Sequence, residues 1–426
     1  MSNKTKTSAT KDDGKPALLP KLRFPEFQDA EGWEVGALGK VAEFVSERIS
    51  LERVELENYV STENILPDYG GITRASKLPT TGSVTRFRPN DTLVSNIRPY
   101  LKKVWFSNKD GGASNDVIVI RAKHKLFTQY LPFLLKNDSF IDYVMTGAKG
   151  VKMPRGDIDS MKEYPAFFPA LAEQQKIADC LSSMDEVIAA QAWKLDALKT
   201  HKKGLIQQLF PDDGATQPRL RFPGFENAGN WDVRRLDSIG RVIRGASPRP
   251  QGDPRYYGGP VPRLMVQDVT RDGKWVTPRI DSLTNEGAKL SRPCSAGTLT
   301  IVCSGTVGVV SFLAVDACIH DGFLALIDIN ESIATKDFLF HSLSTLRLQF
   351  EEGATHGGVF TNLTTSGIQQ FEIKCPKPAE QQRIAACLSN LDDLITTEIQ
   401  KISVLRSHKK GLMQQLFPSP EDLKHE

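Results

Sequence analysis

Pro169-Ala-Leu-Ala-Glu-Gln-Gln-Lys-Ile-Ala-Asp-Cys-Leu-Ser-Ser-Met-Asp185 runs on to His201-Lys-Lys-Gly-Leu-Ile-Gln-Gln-Leu-Phe-Pro211. The same text returns as Pro376-Lys-Pro-Ala-Glu-Gln-Gln-Arg-Ile-Ala-Ala-Cys-Leu-Ser-Asn-Leu-Asp392 and His408-Lys-Lys-Gly-Leu-Met-Gln-Gln-Leu-Phe-Pro418. About 24 of 43 aligned positions are identical, too many for chance, so the chain is first of all an internal repeat. A second pair frames the first: Leu22-Arg-Phe-Pro-Glu-Phe with Trp33, and Leu220-Arg-Phe-Pro-Gly-Phe with Trp231. The molecule consists of two similar halves.

The repeated segment reads as a long helix with an apolar seam. Ile177, Leu181, Met184, Ile188, Gln191, Leu195, Leu198, Lys202, Leu205 and Leu209 advance by alternating steps of four and three. Ile384, Leu388, Leu391, Ile395, Glu398, Ile402, Leu405, Lys409, Leu412 and Leu416 fill the same places in the second copy. Such an a/d stripe, sustained for about five heptads, is a coiled-coil seam. Glu173 and Asp185 lie toward the start and the His-Lys-Lys cluster toward the end, as the helix dipole prefers. Pro211 and Pro418 close the helices because proline cannot continue the ladder. At 1.5 Å per residue each is a rod of about 57 Å, and its only matching partner in the chain is the other copy. The residues alone allow antiparallel or parallel pairing. Polar residues at two seam positions (Gln191 and Glu398, Lys202 and Lys409) either set the register or mark where the bundle opens to a third protein.

Length and composition bound the rest. A chain of 426 residues, 40% hydrophobic and 25% charged, suggests two to four globular domains. No stretch approaches the ~20 apolar residues of a membrane span, and the N-terminus has no signal-peptide core. The six cysteines stand singly, with Cys180 and Cys387 at equivalent helical places. This favours reduced thiols in a cytoplasmic protein over disulfides or zinc. A net charge of +3 permits nucleic-acid binding without arguing for it.

The blocks between the helices are weakly similar and in the same order. Asp91-Thr-Leu-Val-Ser-Asn-Ile-Arg-Pro-Tyr-Leu-Lys-Lys-Val-Trp-Phe aligns with Gly297-Thr-Leu-Thr-Ile-Val-Cys-Ser-Gly-Thr-Val-Gly-Val-Val-Ser-Phe, and Ser114-Asn-Asp with Ile319-His-Asp. Helix-like stretches follow at Thr128 to Tyr143 and Thr335 to Phe350, then Gly-Ala turns at Gly147 and Gly353. Short β-branched runs broken by glycine and proline read as strands. The expected fold class is therefore α+β: two similar mixed α+β domains separated by two long helices. The boundaries are a disordered tail 1–19, a first domain 20–168, a helix 169–211, a linker 212–217, a second domain 218–375, a second helix 376–418 and a tail 419–426.

The loops of these blocks carry side chains suited to nucleic acid. In the first they are Arg74, Lys77, Arg86, Arg88, Arg98, Tyr100, Lys102, Lys103, Lys149, Lys152 and Arg155. In the second they are Arg244, Arg249, Arg255, Tyr256, Tyr257, Arg263, Arg271, Lys274, His356, Thr361 and Asn362. Arginine and lysine neutralise phosphates and bind guanine edges, while Asn and Ser read other bases. Any one of them also reads as solvated surface charge; only as sets on corresponding loops do they point to a ligand.

Catalytic patterns are missing. The sequence has no G-x-x-x-x-G-K-[ST] phosphate loop, no glycine-rich strand–helix turn for a nucleotide and no Pro-Pro-Tyr of an amino-methyltransferase. Glu372-Ile-Lys374 has the form of the end of a nuclease motif, but Pro67-Asp68 and Pro211-Asp212 are too distant to complete it. None of the seven histidines has metal-like spacing; His201 and His408 read as helix-end residues.

The order of variable block, Ala172-Glu-Gln-Gln-Lys-Ile177 helix, variable block, Ala379-Glu-Gln-Gln-Arg-Ile384 helix resembles the DNA-specificity (S) subunit of type I restriction–modification systems. The Lys-Lys-Gly-Leu-(Ile/Met)-Gln-Gln-Leu-Phe-Pro endings and the Asp91–Leu101 segment add to the resemblance. It implies two target recognition domains, each reading half of a bipartite, asymmetric site on double-stranded DNA, spaced by an antiparallel coiled coil. It also implies two methyltransferase (M) subunits and restriction/translocase (R) subunits as partners, with S-adenosylmethionine, ATP and Mg2+ used in those partners and none in this non-catalytic chain. A stand-alone DNA-binding regulator or a protein-binding scaffold are the competing readings; salt-sensitive, sequence-dependent DNA binding separates the scaffold from the other two.

Overall fold

The structure, a computed structural model, describes residues 18–352, 355–357 and 360–418. The tail expected at 419–426 and all but Leu18 and Leu19 of the tail expected at 1–19 lie outside the described residues. Two compact units emerge, one formed by the chain up to Ala192 together with the chain from Gln400 onward, the other by Trp193–Ile399. The sequence reading made each long helix a division of its own. Instead the boundary falls inside each helix, because a single helix has no core and each half buries its apolar face in one unit.

In the first unit, antiparallel strands order as Ala42–Phe44, Val117–Ala122, Thr92–Ser95 and Val104–Phe106. The Val117-Ile-Val-Ile run and Thr92–Ser95 are buried along their length, as expected of β-branched strands covered on both faces. A second sheet orders as Arg48–Ser50, Ser83–Phe87, Gly111–Ala113 and Tyr59–Val60, the last pair parallel. The strand Glu34–Ala37 pairs with Pro165–Phe168, which leads into the helix Leu171–Leu209.

The second unit repeats the plan. Its main sheet orders as Arg241–Arg244, Phe323–Ile327, Leu299–Val302, Val310–Leu313 and one added strand, Trp275–Val276. Asp281–Leu283, Tyr257–Leu264, Ala317–Ile319 and Arg292–Cys294 form the other sheet, and Asp232–Arg235 pairs with Glu372–Cys375 before the helix Pro378–Leu416.

The repeat motifs fasten helix ends to sheets. In the first unit Arg23 grips Glu173 with two hydrogen bonds of 2.8 and 2.7 Å and donates to the carbonyls of Ala30 and Glu31. Arg221 does the same to Glu380 at 2.9 and 2.7 Å and to the carbonyls of Ala228 and Gly229. Gln174 accepts from the Phe127 amide and donates to the carbonyls of Lys125 and Pro169; Gln381 accepts from Thr335 and donates to Ile333 and Pro376. Both glutamines are fully buried, with the amide satisfied at both ends, as burial demands. The Phe-Pro endings dock as well. Phe417 stacks on Tyr130 and meets Trp33 edge-on, and Phe210 stacks on Phe338 and meets Trp231 edge-on.

Each unit contains an antiparallel stretch of the two helices. In the first, Ile177 and Leu181 share a core with Leu412, Leu416 and Phe417. In the second, Leu205, Leu209 and Phe210 share one with Ile384 and Leu388. Every apolar seam residue is buried or half-buried, while Val187, Trp193, Leu394 and Val404, off the seam, are exposed. Three of the four polar seam residues are ion-paired: Lys409 with Asp185 in the first unit, Lys202 with Asp392 and Glu398 with Lys194 in the second. Since Asp185 and Asp392, and Lys202 and Lys409, are repeat equivalents, one bridge occurs twice. That fits the register-setting reading.

Candidate nucleic-acid interface

The strand Thr92–Ser95 runs into Asn96-Ile-Arg-Pro-Tyr-Leu-Lys102, where the chain reverses through Arg98 (φ 51°) and Lys102 (φ 53°), on either side of the 3-10 turn Pro99–Leu101. Asp68 (φ 51°) and Tyr69 (φ 61°) donate their amides to the carbonyls of Leu101 and Lys102, both at 3.0 Å. Thus four of the six non-glycine residues with positive φ among the described residues meet at one turn. Left-handed geometry costs an L-residue roughly 1–2 kcal/mol, and strain of this kind gathers at binding sites.

A hairpin docks beside the turn. Lys149 and Arg155 exchange backbone hydrogen bonds of 2.9 Å in both directions; the Arg98 amide donates to Pro154 at 2.8 Å and the Gly156 amide to Asn96 at 3.1 Å. The polar atoms here are under-used. Asn96 is 5% exposed and its side-chain oxygen has no donor, and the Nε of Arg98 is buried without an acceptor. Lys152 and Tyr100 are exposed with no partner, while Lys149 and Arg155 form exposed pairs with Asp157 and Asp116. The Tyr69 hydroxyl is buried and unpaired, and burial raises its pKa above the ordinary tyrosine value, so it stays a donor.

The second unit builds the same turn from other residues. Beyond Leu299–Val302, Gly305 (φ 80°) and Gly308 (φ 82°) take the left-handed positions held by Arg98 and Lys102. A hairpin of Thr355–Gly357 with Phe360–Asn362 follows, and the Leu363 amide donates to Cys303 at 2.9 Å as Gly156 does to Asn96. These contacts correct the pairing of the two blocks by one residue. Asn90 (φ 71°), not Asp91, corresponds to Gly297 (φ 78°), and Asn96 corresponds to Cys303. Weak similarity fixed the order of the strands but not the step, because the turn after the strand is one residue shorter in the second unit. His356, Thr361 and Asn362 fall on this hairpin; their side chains lie outside the described residues.

Arg244 and Arg249 join this end of the sheet through Asp321, Arg244 donating to its carbonyl at 3.1 Å and Arg249 lying 3.7 Å from its carboxylate. Burial pushes the Asp321 carboxyl up, but the hydrogen bond donated by the Ser247 hydroxyl at 2.7 Å outweighs it and holds the group below its ordinary value. Burial, and then Arg263, lower the pKa of His320. Its Nδ1 accepts the Gly322 amide at 2.9 Å, so the neutral ring carries its proton on Nε2, which is buried without an acceptor.

Not every predicted residue comes to these turns. Arg86 and Arg88 pair with Glu47 at the opposite end of the strand Thr92–Ser95. Arg74 pairs with Glu57, and Lys77 is exposed and unpaired in the same long loop. Arg255 pairs with Asp253 and lies over Tyr256, and the Tyr257 hydroxyl donates to Pro248. Five others are internal struts. Lys102 holds Asp138, and Lys103 donates to the carbonyl of Thr62 at 2.6 Å. Arg263, 4% exposed, holds Asp281 and Ser247. Arg271 serves Asp268, Asp272 and the Thr277 carbonyl. Lys274 lies over Phe312 and Phe340 and reaches Asp337 and Ser389. In each case nearby acids, carbonyls or rings satisfy the charge, which sequence spacing does not reveal. Conversely, Asn96 and His320 were passed over: nothing in a sequence marks a buried polar atom without a partner.

Residues 30–200 and 228–406 match the family described as the type I restriction modification DNA specificity domain. The chain belongs to that family. Each matched segment joins one α+β block to most of the helix that follows it, so this specificity protein carries the domain twice. The specificity subunit of the type I restriction enzyme MjaVIII from Methanocaldococcus jannaschii is 29% identical over 426 residues, covering 93% of each chain. That of MjaIX from the same organism is 25% identical over 204 residues, a match spanning 46% of each, so the chain matches just under half the length of that relative. The crystal structure of a type I restriction–modification S subunit from M. genitalium has the same fold, with a TM-score of 0.60 at 16% identity over 94% of this chain and 99% of that one. No described helix is long and apolar enough to cross a membrane.

Proposed function

We propose that this chain directs partner methyltransferase and restriction subunits to a bipartite, asymmetric site on double-stranded DNA, each unit reading one half-site and the paired helices setting the spacing. One observation carries the reading: the same left-handed turn and docked hairpin recur with unlike side chains, Arg98 and the exposed Tyr100 against Gly305 and the exposed Thr306. A shared backbone with different side chains suits the reading of different bases at equivalent places. The Asp–Lys bridge recurs once in each unit, and a feature present twice is in keeping with two M subunits. R subunits complete the assembly, and S-adenosylmethionine, ATP and Mg2+ act in those partners.

The test is methylome sequencing of a host carrying this chain with and without a cognate methyltransferase subunit. Methyladenine at one split, asymmetric motif, only when both are present, is the expected result. A palindromic motif overturns the two-reader arrangement, and no motif with a competent partner favours the regulator or scaffold.

A further inference from the structure

The hairpin of the first unit has a tip that the phosphate-binding reading leaves unexplained. Val151 is fully exposed and Met153 about half exposed, in a tip of five residues, Gly150–Pro154, that also presents Lys152. Lone apolar side chains on a surface need no explanation; here the surroundings supply one. The tip is clamped at its base by the Lys149–Arg155 pair of backbone hydrogen bonds and anchored by the Arg98 amide on the Pro154 carbonyl, and Pro154 is buried. Gly150 (φ 97°) makes the bend. Three cations fall within seven residues, and the acids that meet Lys149 and Arg155 do so in exposed pairs, which are weak and readily exchanged for phosphates. An apolar point clamped at its base and accompanied by three cations within seven residues matches a polyanion with an apolar interior, which is stacked nucleic acid.

We propose that Val151 and Met153 form a wedge that enters duplex DNA from the minor groove and unstacks one base step of the half-site read by the first unit, while Lys149, Lys152 and Arg155 hold the flanking phosphates. Methionine and other compact apolar side chains act this way in proteins that kink DNA, recovering the unstacking cost through added contact with the bent duplex. The proposal rests on the DNA reading above.

The experiment uses the full chain and duplexes it enriches from a random-sequence library, with 2-aminopurine substituted at successive positions of the recovered motif. Fluorescence should rise at one step of one half-site. In Val151→Ser/Met153→Ser that rise should vanish and affinity fall about 10-fold: the lost apolar burial, alone worth about 100-fold or more, is largely offset by the unstacking that no longer occurs. Lys152→Ala should keep the rise and lower the salt slope by about 1. A rise that survives the double substitution, or none with the parent chain, overturns the wedge while leaving DNA recognition standing. Failure to enrich any duplex removes the DNA reading and the wedge with it. Capture of phosphatidylserine vesicles by the parent chain but not the double variant would then assign the tip to a lipid surface.

Discussion

Replacing Arg221 by methionine asks how the second unit is fastened to its helix. The Arg221 and Glu380 side chains are 9% and 2% exposed and share two hydrogen bonds, so the substitution leaves a buried carboxylate without its cation. Breaking a buried pair from one side costs about 3–5 kcal/mol. For a unit of this size each kcal/mol lowers the melting temperature by roughly 2–4 °C, so a drop of about 6–20 °C is expected. The two carbonyls that Arg221 also serves, at Ala228 and Gly229, border solvent and can turn to water. Arg221→Met combined with Glu380→Leu should therefore recover most of the loss, because an apolar pair of similar volume is close to neutral with a buried ion pair. Scanning calorimetry and urea unfolding of the three variants decide it. A single substitution costing under ~1 kcal/mol, or a double variant no better than the single, would refute the buried-clamp argument.

Other outcomes follow from the same geometry. His341 is buried against Lys202, Lys274, Phe340 and Ser389, and burial first, then the two lysines, push its pKa down to about 3. The folded ring is neutral, so below about pH 6.5 the unfolded chain takes up a proton that the fold refuses, and stability present above that pH is lost as pH falls toward 3. His341→Gln should remove about 1.4 kcal/mol per pH unit from the slope of stability against pH in that window; identical slopes in acid denaturation would contradict it. Arg98→Gly should leave the fold unchanged or up to ~1–2 kcal/mol more stable by relieving the left-handed strain, yet weaken DNA binding by about 1–3 kcal/mol and relax preference at one position; unchanged binding in a filter or anisotropy assay would remove Arg98 from the interface. Inserting one heptad at matched places in both helices lengthens each by about 10 Å, near three base pairs of duplex. The gap between methylated half-sites should change while each half-site stays the same, and an unchanged gap would count against the spacer.

Much of the architecture was legible because it is written twice. The Ala-Glu-Gln-Gln and Leu-Phe-Pro motifs marked the ends of two helices that form at Leu171–Leu209 and Pro378–Leu416, and the seam periodicity named apolar residues that are buried or half-buried. Those motifs proved to be fasteners: Gln174 and Gln381 each complete three hydrogen bonds to backbone, a role that a repeated sequence advertises and does not explain. The interface was less legible. Basic residues in loops were easy to collect, but Lys274 and Arg263 were consumed by neighbours distant in sequence, and Asn96 entered the site only because its side-chain oxygen has no donor.

By itself the sequence determined the duplication, the helix lengths, the seam and the α+β character, since these depend on local period and propensity, which side chains carry with them. The tertiary structure decided which charges are free, where each long helix passes from one unit to the other, and the one-residue step that aligns Arg98 with Gly305. Those depend on packing between residues far apart in the chain, where a carboxylate or a carbonyl arriving from elsewhere decides whether an arginine is a strut or a hand held out to DNA.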